Sequence, residues 1–346
     1  MQKVSVIGAG SWGTALAISL ARKGVDCVLW ARTHDAALEL QERRENFRYL
    51  PGFPFPDGLR ITSSLQDAVC ASDVLLMVVP SHGMRDVLKS VAVILHESDR
   101  TGFIEAVISA SKGIENTTLL TMTQVMDQVL PASLHGSLAV LSGPSFAREV
   151  AQGLPTAVTI AACSAELASD LQRLFSTDNM RAYASTDLMG VQLAGALKNV
   201  IAIAAGICDG MGLGDNARAA LITRGLAEIA RLGVKLGARP MTFAGLAGLG
   251  DLVLTCTGAL SRNRHVGFEL GKGLKLKDII ANMNMVAEGV KTCASAWDLA
   301  QLHQVSMPIT EQVYRVLYED RDSRCAVREL LARPLAQEFD VHLSEQ

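Results

Sequence analysis

Lys3-Val4-Ser5-Val6-Ile7-Gly8-Ala9-Gly10-Ser11-Trp12-Gly13-Thr14-Ala15-Leu16-Ala17 runs from a β-branched segment through a G-x-G-x-x-G turn into an alanine- and leucine-rich helical pattern. The three glycines of such a segment serve different ends. Gly8 permits the tight turn, Gly10 lets the backbone approach a pyrophosphate, and Gly13 allows the helix to pack closely on the strand. The phosphates then face the amide groups at the amino end of the helix. The order strand, glycine loop, helix predicts the first βαβ unit of a doubly wound sheet with a dinucleotide bound at its turn.

Outward from this unit the alternation continues. Short β-branched runs at 4–8, 27–30, 74–79, 107–110, 138–142, 157–161 and 180–183 are separated by helical patterns such as 14–23 and 35–44, which predicts parallel strands joined by crossover helices. The proline-rich, aromatic stretch 49–58 reads as a loop. After about residue 187 the β-rich runs stop, and Ala, Leu, Gly and Met fill helix-length segments. The sequence therefore predicts a Rossmann-like α/β dinucleotide-binding domain over residues 1–187 and an all-helical substrate-binding domain over 188–346, ending in a polar tail from about Ala336.

A chain of 346 residues, 49% hydrophobic and 19% charged, can bury two cores and is neither disordered nor fibrous in composition. Its formal net charge of -3 supplies no general basic field, which argues against nucleic acid and anionic membrane surfaces as partners. The seven cysteines contain no C-x-x-C pair and read as free thiols of a reducing compartment, with no metal site expected. The amino terminus shows no secretion signal. The apolar stretch 191–208 is interrupted by Gln192, Lys198 and Asn199, which favours a buried core helix over a membrane span. A cytoplasmic location is expected.

Cofactor selectivity is written about twenty residues beyond the fingerprint, where an acid at the end of the second strand holds the ribose hydroxyls in NAD-selective sites. Here that position reads Leu29-Trp30-Ala31-Arg32. An arginine can pair with a ribose 2'-phosphate and no carboxylate repels it, so NADP is favoured over NAD. A solvated surface arginine is the competing reading.

Ligands of doubly wound sheets collect beyond the carboxyl ends of the strands. Lys112, in Ser111-Lys112-Gly113, and Gly143 with Ser145, in Ser142-Gly143-Pro144-Ser145, stand at such places and could meet a substrate anion or carbonyl. Lys112 taken alone reads equally as a loop lysine. Lys198 lies in a segment, 191–203, that is apolar nearly all round. Burial disfavours an ammonium, so a lysine there is paired or functional, and a lowered pKa would make it a better proton donor. Asp251 and Thr255 are spaced i, i+4 and share one helix face. Asp251 is suited to hold Lys198, and the Thr255 hydroxyl to donate to a developing alkoxide, while an ordinary helix cap is the alternative for Asp251. Lys198, Lys112, Asp251 and Thr255 form the candidate catalytic set. Ser261-Arg262-Asn263-Arg264 precedes a helical pattern; an arginine beside a serine-capped amino terminus makes a phosphate site, or else a plain cap with exposed arginines. Within enzymes, a β-hydroxy-acid dehydrogenase holding a carboxylate on the same arginine is the alternative, and outside them a dinucleotide-sensing protein without turnover.

GAGSWGTALA at 8–17, VVPSH at 78–82, SKG at 111–113, SGPSFAREV at 142–150, VQLAGALKNVIAIAAG at 191–206, ALITRGLAE at 220–228, GLGDLVLTCT at 248–257 and SRNR at 261–264 resemble, in order and over essentially the whole chain, the bacterial NAD(P)-dependent glycerol-3-phosphate dehydrogenase family. The resemblance implies that Ser11, Trp12, Arg32, Lys112, Ala147, Arg262, Val286 and Glu288 contact the dinucleotide. It implies also that Lys112, Gly143, Ser145, Lys198, Asp251, Ser261, Arg262 and Asn263 contact the triose phosphate, with Lys198 the catalytic acid/base. Interconversion of dihydroxyacetone phosphate and sn-glycerol 3-phosphate, a homodimer, and a supply of glycerol 3-phosphate for phospholipid synthesis come with it. The stretch 96–104 looks longer than is usual in the family and should form a larger surface loop.

Overall fold

The computed structural model describes residues 2–283, 287–335 and 337–338. The strands are β1 (Lys3–Ile7), β2 (Asp26–Trp30), β3 (Glu45–Asn46), β4 (Leu50–Pro54), β5 (Leu59–Thr62), β6 (Val74–Met77), β7 (Ala106–Ser109), β8 (Leu138–Ser142), β9 (Thr156–Ala162) and β10 (Met180–Ser185). Among them run helices α1 (Ser11–Arg22), α2 (His34–Arg43), α3 (Leu65–Cys70), α4 (Met84–Glu97), α5 (Met122–Val129), α6 (Ala147–Gln152) and α7 (Ala165–Phe175). Apart from β3 and β4, which pair with each other, the strands form one sheet in the order β10-β9-β8-β7-β6-β1-β2-β5. β1 pairs in parallel with β2 on one side and β6 on the other, so the glycine loop opens where the winding of the sheet reverses. The central strands are buried on both faces, which is why their sequences are nearly continuous apolar runs.

Three features depart from the sequence reading. β9 runs antiparallel to β8, because the short α6 packs on α1 and does not cross the sheet, returning the chain into β9 from the end where it left β8. β5 is an edge strand, paired in parallel with β2 alone, in a segment without a strand signal of its own. The stretch 49–58 contains a strand, β4, paired with β3. Its two prolines remove donors and keep the ladder short, while Leu50, Phe53 and Phe55 are buried in the sheet's core. The 96–104 stretch is pinned to the connection between α3 and β6 by Arg100, whose Nη2 donates to the Ser72 carbonyl at 3.1 Å and whose guanidinium lies over Phe103.

The chain divides into two compact units, Met1–Lys112 with Leu120–Leu188 and Gly113–Leu119 with Met189–Gln346. The second is helical: α8 (Leu188–Gly210), α9 (Gly214–Lys235), α10 (Pro240–Ala244), α11 (Asp251–Thr257), α12 (Arg262–Gly271), α13 (Leu276–Ala281), α14 (Glu288–Leu302), α15 (Pro308–Tyr318) and α16 (Ser323–Leu331). Ile114 joins this unit's core, among Leu193, Leu197 and Ile201. α8 is the one helix among the described residues long and apolar enough to cross a membrane, and its apolar window is entirely buried within the protein. Of the expected tail, Ala336 and 339–346 lie outside the described residues.

A buried carboxylate ties two of these helices together. Glu228 of α9, 3% exposed, accepts from the Ile309 amide (2.6 Å), the Thr310 amide (3.1 Å) and the Thr310 hydroxyl (3.2 Å), so it caps α15 from another helix. Burial pushes its carboxyl up to about 7 from 4.5, outweighing those hydrogen bonds and the nearby Arg231. A raised folded-state pKa favours the folded state below about 4.5, and that contribution is lost as the pH rises through about 7. The melting temperature of the wild type should therefore fall relative to that of Glu228→Gln as the pH goes from 5 to 8, measured by circular dichroism. Parallel profiles for the two proteins would show that the carboxylate does not titrate in this range.

Candidate active site

The first unit builds a glycine loop with an open front. Gly8 has φ +130°, and a Cβ there would lie 2.8 Å from the Val78 carbonyl oxygen. A Cβ on Gly13 would lie 1.9 Å from the Gly8 carbonyl oxygen, so the third glycine keeps the turn closed upon itself. Gly10 differs: nothing stands within 4 Å of where its Cβ would be, and it caps α1 without a side-chain hydrogen bond. Its open side lies next to the amides of the first turn, which have no acceptor within the helix. Trp12 Nε1 is sealed from solvent and has no hydrogen-bond partner among the described residues. The loop is braced from behind by Asn46, whose Nδ2 donates to the Ala9 carbonyl (3.0 Å) and to Thr14 Oγ1 (2.8 Å). An open anion-binding turn with a stiff back fits a dinucleotide pyrophosphate.

Arg32 is exposed two residues past β2 and next to Thr33, which caps α2. On the other side of the switch point, Lys112 Nζ donates to the Gly143 carbonyl at 3.0 Å, and Ser145 Oγ donates to the same oxygen at 2.9 Å. Gly143 has φ +137°, and a Cβ there would stand 2.9 Å from Val158 Cα, so this carbonyl can be presented only by glycine. Ala147 opens α6 and packs against the sheet's core.

In the second unit Lys198, Asp251 and Thr255 come together. They are 6%, 1% and 4% exposed. The Lys198 ammonium is ion-paired and hydrogen-bonded to Asp251 Oδ1 and donates to Thr255 Oγ1 at 2.8 Å. A π-helical turn over Leu246–Gly250, closed by the Gly250 amide on the Gly245 carbonyl (3.1 Å), delivers Asp251 as the first residue of α11, where Gly250 is the cap. The carboxylate thus meets the lysine from the first turn of its own helix. The Thr255 hydroxyl accepts from Lys198 and has two acceptors of its own, the Asp251 carbonyl (2.6 Å) and Asp251 Oδ1 (3.4 Å).

Ser261 is the cap of α12, its hydroxyl accepting from the Arg264 amide at 3.2 Å. Arg262, the first helical residue, is exposed and forms no ion pair among the described residues, whereas Arg264 is bound to Asp209. Asn263 is buried: its Nδ2 donates to Asn199 Oδ1 (2.8 Å) and its Oδ1 accepts from the Gly289 amide (3.0 Å). It therefore braces α8 and α14. Asn199, the residue after Lys198, consequently has the carbonyl end of its side chain fixed. Sequence reading notices Asn199 only as a break in an apolar run, and misses Asn46 and Asp209 altogether; only the spatial partner gives each its meaning. Glu288 opens α14, half-buried. Val286 lies outside the described residues. No cluster of metal-ligating side chains occurs among the described residues.

A family model for the N-terminus of NAD-dependent glycerol-3-phosphate dehydrogenase matches residues 3–168, and its C-terminal counterpart matches residues 187–328. The chain belongs to this family. A glycerol-3-phosphate dehydrogenase (NAD(P)+) of Geobacter metallireducens is 56% identical over 96% of this chain and 97% of its own length. That of Myxococcus xanthus is 51% identical over 95% and 96%. Among solved structures, glycerol-3-phosphate dehydrogenase from Coxiella burnetii superposes with a TM-score of 0.87 at 41% identity, covering 96% of this chain and 99% of that one. A D-mandelate dehydrogenase with NADH, at TM-score 0.60 and 12% identity over 93% of this chain and 99% of that one, shares the fold alone. The family assignment therefore separates the chain from the hydroxy-acid dehydrogenases that share its architecture.

Proposed function

We propose that the chain interconverts dihydroxyacetone phosphate and sn-glycerol 3-phosphate with NADP(H) or NAD(H), and that Lys198 is the acid/base. The observation that carries this is the buried Lys198 ammonium held by Asp251 and Thr255. A nicotinamide bound at the glycine loop would supply the hydride to the carbonyl carbon, or accept it from the carbinol carbon in the reverse direction. Lys198 gives its proton to the carbonyl oxygen as the alkoxide forms, and takes it back in the reverse direction. Asp251 keeps the ammonium charged and aimed, and Thr255 fixes it from a second side. Arg262, at the amino end of α12, holds the substrate phosphate, with Ser261 fixing the start of the helix. Gly8, Gly10, Ser11, Trp12 and Gly13 hold the pyrophosphate end of the dinucleotide. Lys112, Gly143, Ser145, Ala147 and Glu288 keep the contact roles that the family resemblance gives them. The test is absorbance at the NAD(P)H band with dihydroxyacetone phosphate, each cofactor in turn; no oxidation with either would end the proposal.

Residues 1–187 are the dinucleotide-binding part in this reading and 188–346 the substrate-binding part. NADP is the preferred cofactor, the enzyme is a cytoplasmic homodimer, and its product feeds phospholipid synthesis. Preference for NADP rests on Arg32, which is exposed beyond β2 and is not engaged in an ion pair among the described residues. Arg32→Asp is expected to weaken NADPH far more than NADH in fluorescence titrations, because a carboxylate repels the 2'-phosphate and accepts from ribose hydroxyls. Equal losses for the two cofactors would remove Arg32 from phosphate recognition.

A further inference from the structure

Asp209 stands next to last in α8, where an anion faces the negative end of the helix dipole and is locally unfavourable. Two arginines hold it there. Its Oδ1 accepts from Arg218 Nη1 at 2.8 Å, and its Oδ2 accepts from Arg264 Nε at 2.7 Å and is paired with Nη2 of the same residue at 2.7 Å. Arg218 belongs to α9, whereas Arg264 belongs to the first turn of α12, two residues from Arg262.

α8 and α12 run parallel in backbone contact. A Cβ on Gly206 would lie 2.0 Å from the Arg264 carbonyl oxygen, and one on Gly210 would lie 2.2 Å from that of Phe268. From the other side, a Cβ on Gly267 would lie 1.9 Å from the Ile203 carbonyl oxygen, and one on Gly271 would lie 2.5 Å from that of Ile207. Each helix thus offers two glycines four apart to the backbone of the other. Ten residues before Asp209 in α8, Asn199 accepts from Asn263, the residue before Arg264, and joins the pair beside Lys198. The glycines set how close the helices come, but glycine surfaces have no side chain to resist sliding along or about the axis. The Asn199–Asn263 hydrogen bond restrains the pair beside Lys198, and a charged contact between the end of α8 and the start of α12 adds a second restraint on register.

We propose that Asp209 is a positioning residue for the reaction: by gripping Arg264 it fixes the register of α12 on α8, and with it Ser261 and Arg262 relative to Lys198. The same grip withdraws Arg264 from the anion site and leaves Arg262 as its arginine. This rests on the reading of Arg262 as the substrate-phosphate ligand given under Proposed function.

The test compares wild type, Asp209→Asn and Arg218→Gln, each with saturating NADPH, on dihydroxyacetone phosphate and on unphosphorylated dihydroxyacetone. Loss of register displaces the phosphate ligand, and displacements near 1 Å cost up to about a hundredfold. Asp209→Asn should raise KM for dihydroxyacetone phosphate by about ten- to a hundredfold, with turnover of dihydroxyacetone and the Kd for NADPH unchanged. Arg218→Gln, which breaks the other half of the same carboxylate's pairing without touching α12, should keep the wild-type KM. If Asp209→Asn does not fold, Arg264→Lys, which keeps the charge but loses the double contact, should show a smaller rise in the same KM. An unchanged KM in a folded variant, an equal loss on both substrates, the same rise in Arg218→Gln, or a fall in KM from Arg264 joining the site would each overturn the proposal. Wild-type protein inert toward dihydroxyacetone phosphate would instead sink the functional reading, in an arm that contains no variant.

Discussion

Lys198→Met loses about a hundredfold to ten-thousandfold in turnover of dihydroxyacetone phosphate and binds NADPH as the wild type does, the range that general acid/base groups supply. Methionine keeps most of the length and apolar bulk of the lysine stem, so the buried segment around position 198 stays filled. What it removes is the proton and the partner of Asp251, which is left 1% exposed without its counter-ion. An uncompensated buried charge is destabilising by several kcal/mol, so the unfolding temperature has to be measured beside the rate. Lys198→Met combined with Asp251→Asn removes both charges and separates the two effects. If the folded single variant keeps more than about a tenth of the wild-type rate, Lys198 is not the acid/base. If the double variant regains stability without regaining turnover, the ion pair serves folding and the lysine serves the chemistry.

Arg262→Ala is the second large effect. Charge-assisted hydrogen bonds are worth roughly 1.5 to 3 kcal/mol each, so catalytic efficiency with dihydroxyacetone phosphate should fall by on the order of tenfold to a few hundredfold. Magnitude alone does not identify the cause, because damage to α12 would have the same size. The discriminating substrate is unphosphorylated dihydroxyacetone, whose reaction does not use the arginine and should be nearly unaffected. Inorganic phosphite should raise wild-type turnover of dihydroxyacetone by filling the phosphate site, and should not do so in the variant. Equal losses with both substrates would assign Arg262 to the cofactor or to the fold. Arg264 is a natural internal comparison: the same residue type two positions on is bound to Asp209, and the sequence does not distinguish the two.

The glycine fingerprint, the alternation of strands with helices and the change to helix near residue 187 are legible in the sequence because each depends on local residues whose conformational demands are strong. Lys198 is legible for a related reason, since an ammonium in an all-round apolar helix needs a partner whatever the rest of the chain does. Its pairing with Asp251 follows from chemistry, but the hydrogen bond of the Thr255 hydroxyl to a backbone carbonyl one turn away is not written in the i, i+4 spacing. β4 is hidden by its prolines, and the antiparallel entry of β9 by the shortness of α6, neither of which is a property of an apolar strand pattern. The family resemblance implies that Asn263 contacts substrate, and its amide bonds to Asn199 and Gly289 arise from residues far apart in the chain. Such bonds leave no mark on the periodicity of any one helix.

The path of the chain between its two units has a consequence for how this protein can be cut or exchanged. Gly113–Leu119 leaves the first unit, contributes Ile114 to the core of the second, and returns. No single break can therefore release the helical unit intact. A fragment beginning at residue 188 would lack a fully buried side chain supplied from more than seventy residues earlier, and a chimera joined there would match a foreign insert to a core shaped around its own. Moving this unit as a module would require two junctions inside the α/β half as well as one at its end.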